Sequence, residues 1–419
     1  MTPQEVNTLR SLMEYEAART APPVGFPELP DVPGGRYTDP RFHELEQQHL
    51  WRKSWLFAAH IDQLPDPGCF RLWENAGQPV VIVHANDGTI NAFYNTCSHR
   101  GAPIVTEPAG QSPRLTCKYH GWSYSHSGEL LAIRDEEDFC GLDKSKRGLA
   151  NIRCERFGNL IFLNFDTEAV PLLEWLGPVA EEWAEFQFDK CRLAAHHIWD
   201  LNCNWKIAME ANAEVYHVRS IHPKTVAPVL DDRRNVNTLY PQGHGRMVAP
   251  RPKKADGSLN VRVERSRFQE IETAGEISRT CTQSYGIFPN WVSPLSQHFI
   301  PPLLFWPNGI DKCRLETWTF APEWGDGPKP DLWTQNDGEK LAEVLLEDTV
   351  FGEGIQKSMQ SYGFSGVPLS YQEARIYHWN QFADKLIGID NIPEELRVQQ
   401  VIGENWMYPN DPRVALLNQ

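Results

Sequence analysis

The chain is predicted to adopt an α+β fold, with a small antiparallel β domain inserted near the N-terminus of a larger α+β domain that has its own antiparallel sheet and metal-bearing helices. Three observations predict it. Short runs with strand-like alternation surround two Cys/His segments between residues 79 and 165. After Asp166 the amphipathic run VPLLEWLGPVAEEWAEFQF marks entry into a different domain. Beyond it, helical patterns at about 204–221 and 336–361 bracket β-like segments rich in aromatics and prolines. The resulting parse places one domain at 51–170 and a second at 1–50 and 171–419.

Residues 1–50 open with a helical stretch, PQEVNTLRSLMEYEAAR. The proline-rich connector APPVGFPELPDVPGG follows and cannot stay regular for long. A second helical stretch, DPRFHELEQQHLWRKSW, leads into PVVIVHA (79–85), INAFYNTC (90–97), LTCKYHGWSYS (115–125) and NLIFLNF (159–165), all β-branched or aromatic enough for strands. In the second domain the β-like segments are 283–307 and 312–322.

A length of 419 residues suits two domains, and 41% hydrophobic residues give a sizeable core. A formal charge of −15 argues against nucleic acid or an anionic membrane as partner. No apolar run approaches a membrane span, and the first residues, MTPQEVNTLR, lack a signal-peptide core. Nine cysteines without framework spacing suit a reducing compartment, so the expected location is the cytoplasm.

The most telling spacing is Cys97-x-His99, seventeen residues, then Cys117-x-x-His120. Two thiolates and two imidazoles suit a Rieske [2Fe–2S] cluster, with cysteines on one iron and histidines on the other. A structural zinc site also uses two Cys and two His, but usually as Cys-x-x-Cys with a separate His pair. Arg100-Gly101-Ala102-Pro103 and Gly121-Trp122 supply the tight turns that cluster loops need.

A second metal site is predicted in NWKIAMEANAEVYHVRSIHP (204–223). His217 and His222 are about 140° apart on an ideal helix, too far to hold one ion. Pro223 disfavours helical dihedrals at His222, so the helix should end or loosen through a π-like turn and bring the rings together. Two histidines and one carboxylate form the facial triad of mononuclear iron(II) oxygenases. In GEKLAEVLLEDTVFGEGIQKSM, Asp348 falls in the apolar stripe of Leu341, Val344, Leu345, Phe351, Gly352, Ile355 and Met359, whereas Glu343, Glu347 and Lys357 fall off it. A buried carboxylate needs a cation, so Asp348 is the favoured third ligand, ahead of Glu353. Gly352 would let that helix approach its neighbour closely.

These segments resemble one family. Trp51 to Phe165 is similar to the Rieske domain of the ring-hydroxylating oxygenases, with all four ligand positions present. Glu214, His217 and His222 match the family's acid-x-x-His-x4-His. Glu347-Asp348, Glu353 and Gln356 match its third-ligand helix, and Asn204-Trp205-Lys206 matches the opening of its iron helix. The resemblance implies the catalytic α subunit of a multicomponent oxygenase with a Rieske cluster and a mononuclear Fe(II). Electrons would come from an NADH-dependent reductase, with or without a ferredoxin, and the substrates would be O2 and a small aromatic compound. Oxidative O- or N-demethylation is the runner-up activity, and a Rieske electron carrier is a remote one that the iron triad opposes. The resemblance also implies a head-to-tail homotrimer, with or without a β subunit, in which Glu214 bridges His217 to a Rieske histidine of the neighbouring chain. One departure is Ala211, where many members carry an Asn; here Asn212 and Glu210 flank it.

The absence of a Gly-x-Gly-x-x-Gly fold argues that NADH is not bound directly. Arg100, Arg114 and Lys118 lie near the cluster loops and offer a basic patch to an acidic donor. The histidines at 60, 84, 126, 196, 197, 244, 298 and 378 lack ligand spacing and read as structural. Trp291, Phe299 and Phe305 are candidates for the pocket wall or the core.

Overall fold

The computed structural model describes residues 1–260, 268–331, 333 and 339–416, without the side chains of 339–343 and 416. The chain divides into two units, Trp51–Glu174 and the combination of Met1–Leu50 with Trp175–Gln419.

In the first unit the strands are β1 (Leu56–His60), β2 (Cys69–Trp73), β3 (Val80–His84), β4 (Ile90–Tyr94), β5 (Ala109–Gln111), β6 (Leu115–Thr116), β7 (Ser123–Tyr124), β8 (Leu130–Ala132), β9 (Asn151–Phe157) and β10 (Leu160–Asn164). Seven form an antiparallel sheet in the order β1-β10-β9-β4-β3-β2-β5, and β6-β7-β8 form a small second sheet. The predicted strand at 90–97 stops at Tyr94 because buried Asn95 bonds across a loop. Its Oδ1 accepts from the N–H groups of Ile104 (2.8 Å) and Val105 (3.0 Å), and its Nδ2 donates to the Val105 carbonyl at 2.8 Å. The run at 115–125 likewise breaks into β6 and β7 around a tight loop.

The second unit begins with α1 (Pro3–Ala18), closed by a Thr2/Glu5 capping box and burying Val6, Leu9, Leu12 and Met13. Its sheet comprises β11 (Arg192–Leu201), β12 (Val236–Leu239), β13 (Gly245–Pro250), β14 (Cys281–Ile287), β15 (Trp291–Leu295), β16 (Leu303–Pro307) and β17 (Cys313–Ala321). The order is β11-β17-β16-β15-β14-β13-β12, antiparallel throughout. The helices that matter to the site are α2 (Trp205–Ala211), α3 (Val218–Ile221), α4 (Glu276–Thr280), α5 (Glu339–Thr349), α6 (Gly352–Met359) and α7 (Ala374–Ile387).

The predicted helix at 204–221 is two helices. The amide of Asn212 donates to the Ala208 carbonyl at 3.0 Å, taking the acceptor that a continuing backbone would use. The pattern at 336–361 also breaks, between Thr349 and Gly352; residues 336–338 and the side chains of Leu341 and Glu343 lie outside the described residues. The expected buried stripe fails past the break, where Phe351 is 51% and Ile355 39% exposed. Gly352 does allow close approach, since a Cβ there would lie 2.9 Å from Cys203 Sγ.

Candidate functional site

The iron-type site is built around one turn of helix. His217 precedes α3 and His222 follows it, so the ligands cap its two ends. His222 leaves the helix at φ −115°, ψ 43°, a helix end before Pro223 rather than a π-like turn. The Nε2 of His222 lies 2.8 Å and that of His217 3.5 Å from the same Asp348 Oδ1. One ligand atom from each of the three residues falls within 4.8 Å of the others, the one such group of three among the described residues. Glu353 is not part of it; it is exposed and pairs with Lys357 at 2.6 Å.

The outer ring nitrogens are held as well. His217 Nδ1 donates to Glu214 Oε1, and Glu214 Oε2 accepts from the backbone N–H groups of Tyr216 and His217. Glu214 therefore sits in the turn before α3, not on a helix face with His217, because its carboxylate replaces helical hydrogen bonds there. His222 Nδ1 donates to Glu347 Oε2 at 2.6 Å, and the Thr225 hydroxyl donates to the same oxygen at 2.5 Å. Burial disfavours a charged His222, but Asp348 and Glu347 outweigh it and hold its pKa above the ordinary imidazole value. Two imidazoles with both Nε2 atoms directed at one carboxylate, amid excess negative charge, fit an iron(II) ion. Sequence reasoning missed Glu347. The signal was its place beside Asp348, an acid within reach of the second His as Glu214 is of the first.

The helix beneath is anchored by an ion pair of Lys206 with Glu46 at 2.6 Å, both fully buried. Beside it, the Tyr37 hydroxyl donates to Glu210 at 2.8 Å, and burial lifts the Glu210 pKa to about 7.

The triad opens on a cavity of about 180 Å³ whose wall includes Val215, Val218, Leu230, Met247 and Leu295. Ala211 and Asn212 both line it, so at the departing position the wall is a methyl group. Of the three aromatic candidates, Phe299 lines this cavity. Trp291 packs on Trp183 at 5.6 Å, and Phe305 is fully buried elsewhere.

Arg375, from α7, lies across the sheet where Gly245 of β13 pairs with Gly286 of β14. A Cβ at either glycine would lie 3.1 Å from its Nε or 3.0 Å from its Nη2. Burial pushes its pKa down to about 10, against the attraction of Tyr240 and Glu214.

In the first unit the two Cys/His loops close in the same way. The Cys97 carbonyl accepts from Gly101 N–H and the Cys117 carbonyl from Gly121 N–H, both at 2.9 Å. The Cys97 N–H donates to Ala102 (2.8 Å) and that of Cys117 to Trp122 (2.9 Å). Gly101 and Gly121 have φ of +74° and +78°, which glycine adopts without strain. Cys97 and Cys117 are buried; His99 and His120 are half-buried, with their Nδ1 atoms 3.1 Å apart. The Tyr124 hydroxyl lies 3.1 Å from Cys97 Sγ, and Trp122 stacks on His99 at 4.8 Å. Two enclosed sulfurs and two imidazole nitrogens at the rim match the donors of a Rieske cluster. Of the basic candidates nearby, Lys118 pairs with Glu107 and Arg100 lies over Tyr119 at 5.7 Å.

The Rieske [2Fe–2S] domain family matches residues 54–145, and the ring hydroxylating alpha subunit (catalytic domain) family matches 188–389. Benzene 1,2-dioxygenase subunit alpha of Pseudomonas putida is 35% identical over 354 residues, 74% of this chain and 77% of that protein. The glycine betaine monooxygenase oxygenase subunit of Chromohalobacter salexigens is 29% identical over 202 residues, 48% of this chain and 45% of that protein. Naphthalene 1,2-dioxygenase from Rhodococcus sp., solved with indole bound, shares the fold with a TM-score of 0.71 at 19% identity, covering 92% of this chain and 98% of that one. The chain belongs to the Rieske non-haem iron ring-hydroxylating oxygenases, as a catalytic alpha subunit. It carries a Rieske [2Fe–2S] domain and a catalytic mononuclear iron site at His217, His222 and Asp348, and it is the terminal oxygenase of a system with a separate reducing partner. No helix among the described residues is long and apolar enough to cross a membrane.

Proposed function

We propose that this oxygenase dihydroxylates a small aromatic ring held in its iron cavity, using electrons that start on NADH and arrive through a reductase, with or without a ferredoxin. The observation that carries this reading is the triad's opening onto an aliphatic cavity. A quaternary ammonium ion would want an aromatic cage, and among the described lining residues Phe299 is the one aromatic.

Cys97 and Cys117 would hold the inner iron of the cluster and His99 and His120 the outer one, while His217, His222 and Asp348 hold the catalytic ion. When bound, the cluster supplies electrons singly and the iron(II) activates O2 at its open positions. Glu214 and Glu347 fix each ring with its proton on Nδ1 and its lone pair on Nε2. The aliphatic wall orients an apolar ring and keeps bulk water away.

Glu214 would also link His217 to a neighbouring chain in a ring-closed homotrimer. Tyr216, two residues on, is 67% exposed, so this edge of the site reaches the surface of its unit. Tyr119, beside His120, is 59% exposed, which leaves the cluster rim open to a partner.

The test is turnover with a surrogate reductase, NADH and ¹⁸O2 across an arene panel. Dihydroxylation puts two labelled oxygens in the ring product; hydroxylation puts one there and demethylation sends one into the released formaldehyde, the other oxygen leaving as water in both. Three irons per chain are expected, against two for an electron carrier. Fewer than two labelled oxygens in the ring product of every productive substrate would overturn the dioxygenase assignment.

A further inference from the structure

We infer that the substrate carries an anionic group, a carboxylate or sulfonate, and that Arg251 receives it at the wall of the iron cavity. The inference rests on the oxygenase reading above and names the class of molecule that reading leaves open.

Arg251 directly follows β13. Met247, Ala249 and Arg251 share one face by strand alternation, and in the β13–β14 register Met247 stands opposite Ser284 and Ala249 opposite Thr282. Met247, Arg251, Thr282 and Ser284 all line the iron cavity. On a wall otherwise made mostly of aliphatic side chains, this corner is polar and carries a full positive charge.

That charge is not matched among the described residues. Arg251 is 7% exposed, yet among the described residues its guanidinium makes one hydrogen bond, from Nη1 to the Arg279 carbonyl at 3.0 Å, near the end of α4. A guanidinium has five N–H donors, and no carboxylate among the described residues pairs with this one. Burial pushes its pKa down, and the Cys281 thiol alone opposes that. The Ser284 hydroxyl is also buried, with no hydrogen-bond partner among the described residues. A hydrocarbon would leave both groups facing apolar surface, which is costly; an anion would satisfy them together through charge-assisted bonds.

Arg251 also belongs to a second, outer cavity of about 760 Å³, and among the described residues it is the one common to the two linings. Arg10, Arg234 and Lys253 line that outer space. Among the described residues its two acids, Glu14 and Asp231, both pair with Arg234, and Arg10 pairs with Glu276 beside it, while Lys253 makes no ion pair. In a chain of net charge −15, a basic forecourt that leads to an unmatched arginine runs against the overall field. It suits a small anion moving inward. Arg251 then acts as a binding residue that fixes which ring carbons face the iron, since the acid group is held at one point of the wall.

The experiment is calorimetric titration of the iron- and cluster-loaded protein with benzoate, p-toluate and benzenesulfonate, each against its uncharged amide. At least one anion is expected to bind about tenfold or more tightly than its amide. Arg251→Met should erase that preference, weakening the anion far more than its amide, and Arg251→Lys should keep part of it. Should Arg251→Met fail to fold, Arg251→Lys together with Ser284→Ala carries the test, each weakening the anion alone. Amides binding as tightly as every anion, no anion binding at all, or a preference that survives Arg251→Met would overturn the inference. The two readings fail separately. Oxygenation of neutral arenes without anion preference sinks this inference and spares the oxygenase assignment; an Arg251-dependent anion that is bound but never oxygenated does the reverse.

Discussion

The side-chain oxygen of Gln356 accepts a hydrogen bond from the backbone N–H of Asn204 at 2.6 Å, with both residues buried. Asn204 in turn caps α2, its Oδ1 accepting from Lys206 N–H at 3.0 Å. One contact thus ties the helix pair that carries Asp348 to the segment that carries both histidines. Gln356→Leu removes the acceptor and strands a buried donor, so a stability loss of about 1–3 kcal/mol is expected. Iron occupancy should fall with all three ligands intact, as read by thermal melting and metal analysis on the same sample.

Asp348→Ala is expected to empty the catalytic iron site and abolish turnover, leaving the cluster spectrum unchanged, because two imidazoles alone hold iron weakly. Glu353→Ala should behave like wild type. Metal analysis that shows full iron in the first variant and loss in the second would reassign the third ligand.

Glu347→Gln tests the residue that holds His222 from behind. The amide keeps the size but loses the anion that fixes the ring, so iron affinity should drop about 10- to 100-fold in competition with a chelator. Thr225→Val should give a smaller shift in the same direction. Unaltered affinity in Glu347→Gln would mean that ring orientation is set by packing alone.

Glu214→Gln should leave both metal sites largely loaded yet slow product formation by orders of magnitude, with a cluster that stays reduced when substrate and O2 are added. A mixing experiment separates a route between chains from one within a chain. Cys97→Ser chains and His217→Ala chains, each inactive, should regain activity when co-expressed. Verified mixed oligomers without activity would exclude the intersubunit route.

Buried His244 is locked in its neutral form: Nε2 donates to the Trp175 carbonyl at 2.9 Å and Nδ1 accepts from Phe288 N–H at 3.0 Å. Burial lowers its pKa to about 4. An unfolded chain would take up the proton near 6.5, so the neutral ring stabilises the fold fully above that pH. The contribution, on the order of 3 kcal/mol, is lost as pH falls from about 6.5 to 4. Chemical unfolding at pH 7 and pH 4.5 should show a shallower acid loss in His244→Gln than in wild type.

Much of the site was legible because short motifs carry their own geometry. The Cys/His spacing, the residue before Pro223 and the apolar neighbours of Asp348 are all local facts. What stayed hidden depends on distant pairs. Glu347 looked like a solvent-side residue, because its meaning lies 125 positions away at His222. The helix breaks after Ala211 and Thr349 were missed for a related reason. Hydrophobic periodicity runs straight through both, whereas the Asn212 amide and the Gly352–Cys203 approach end the helices by side-chain and packing effects. Nothing local in the sequence marks Arg251, whose face follows from the β13–β14 register, or Arg375, whose place over Gly245 and Gly286 follows from a helix packing on the sheet.

The berth of Arg375 over Gly245 and Gly286 couples those three positions sterically. A methyl group gained at either glycine would make the guanidinium give way by a few tenths of an ångström, in a berth where it is already buried. Room at the two strand positions and reach of the arginine are thus one quantity, and side-chain volume added to the strands is taken from the space that the guanidinium occupies.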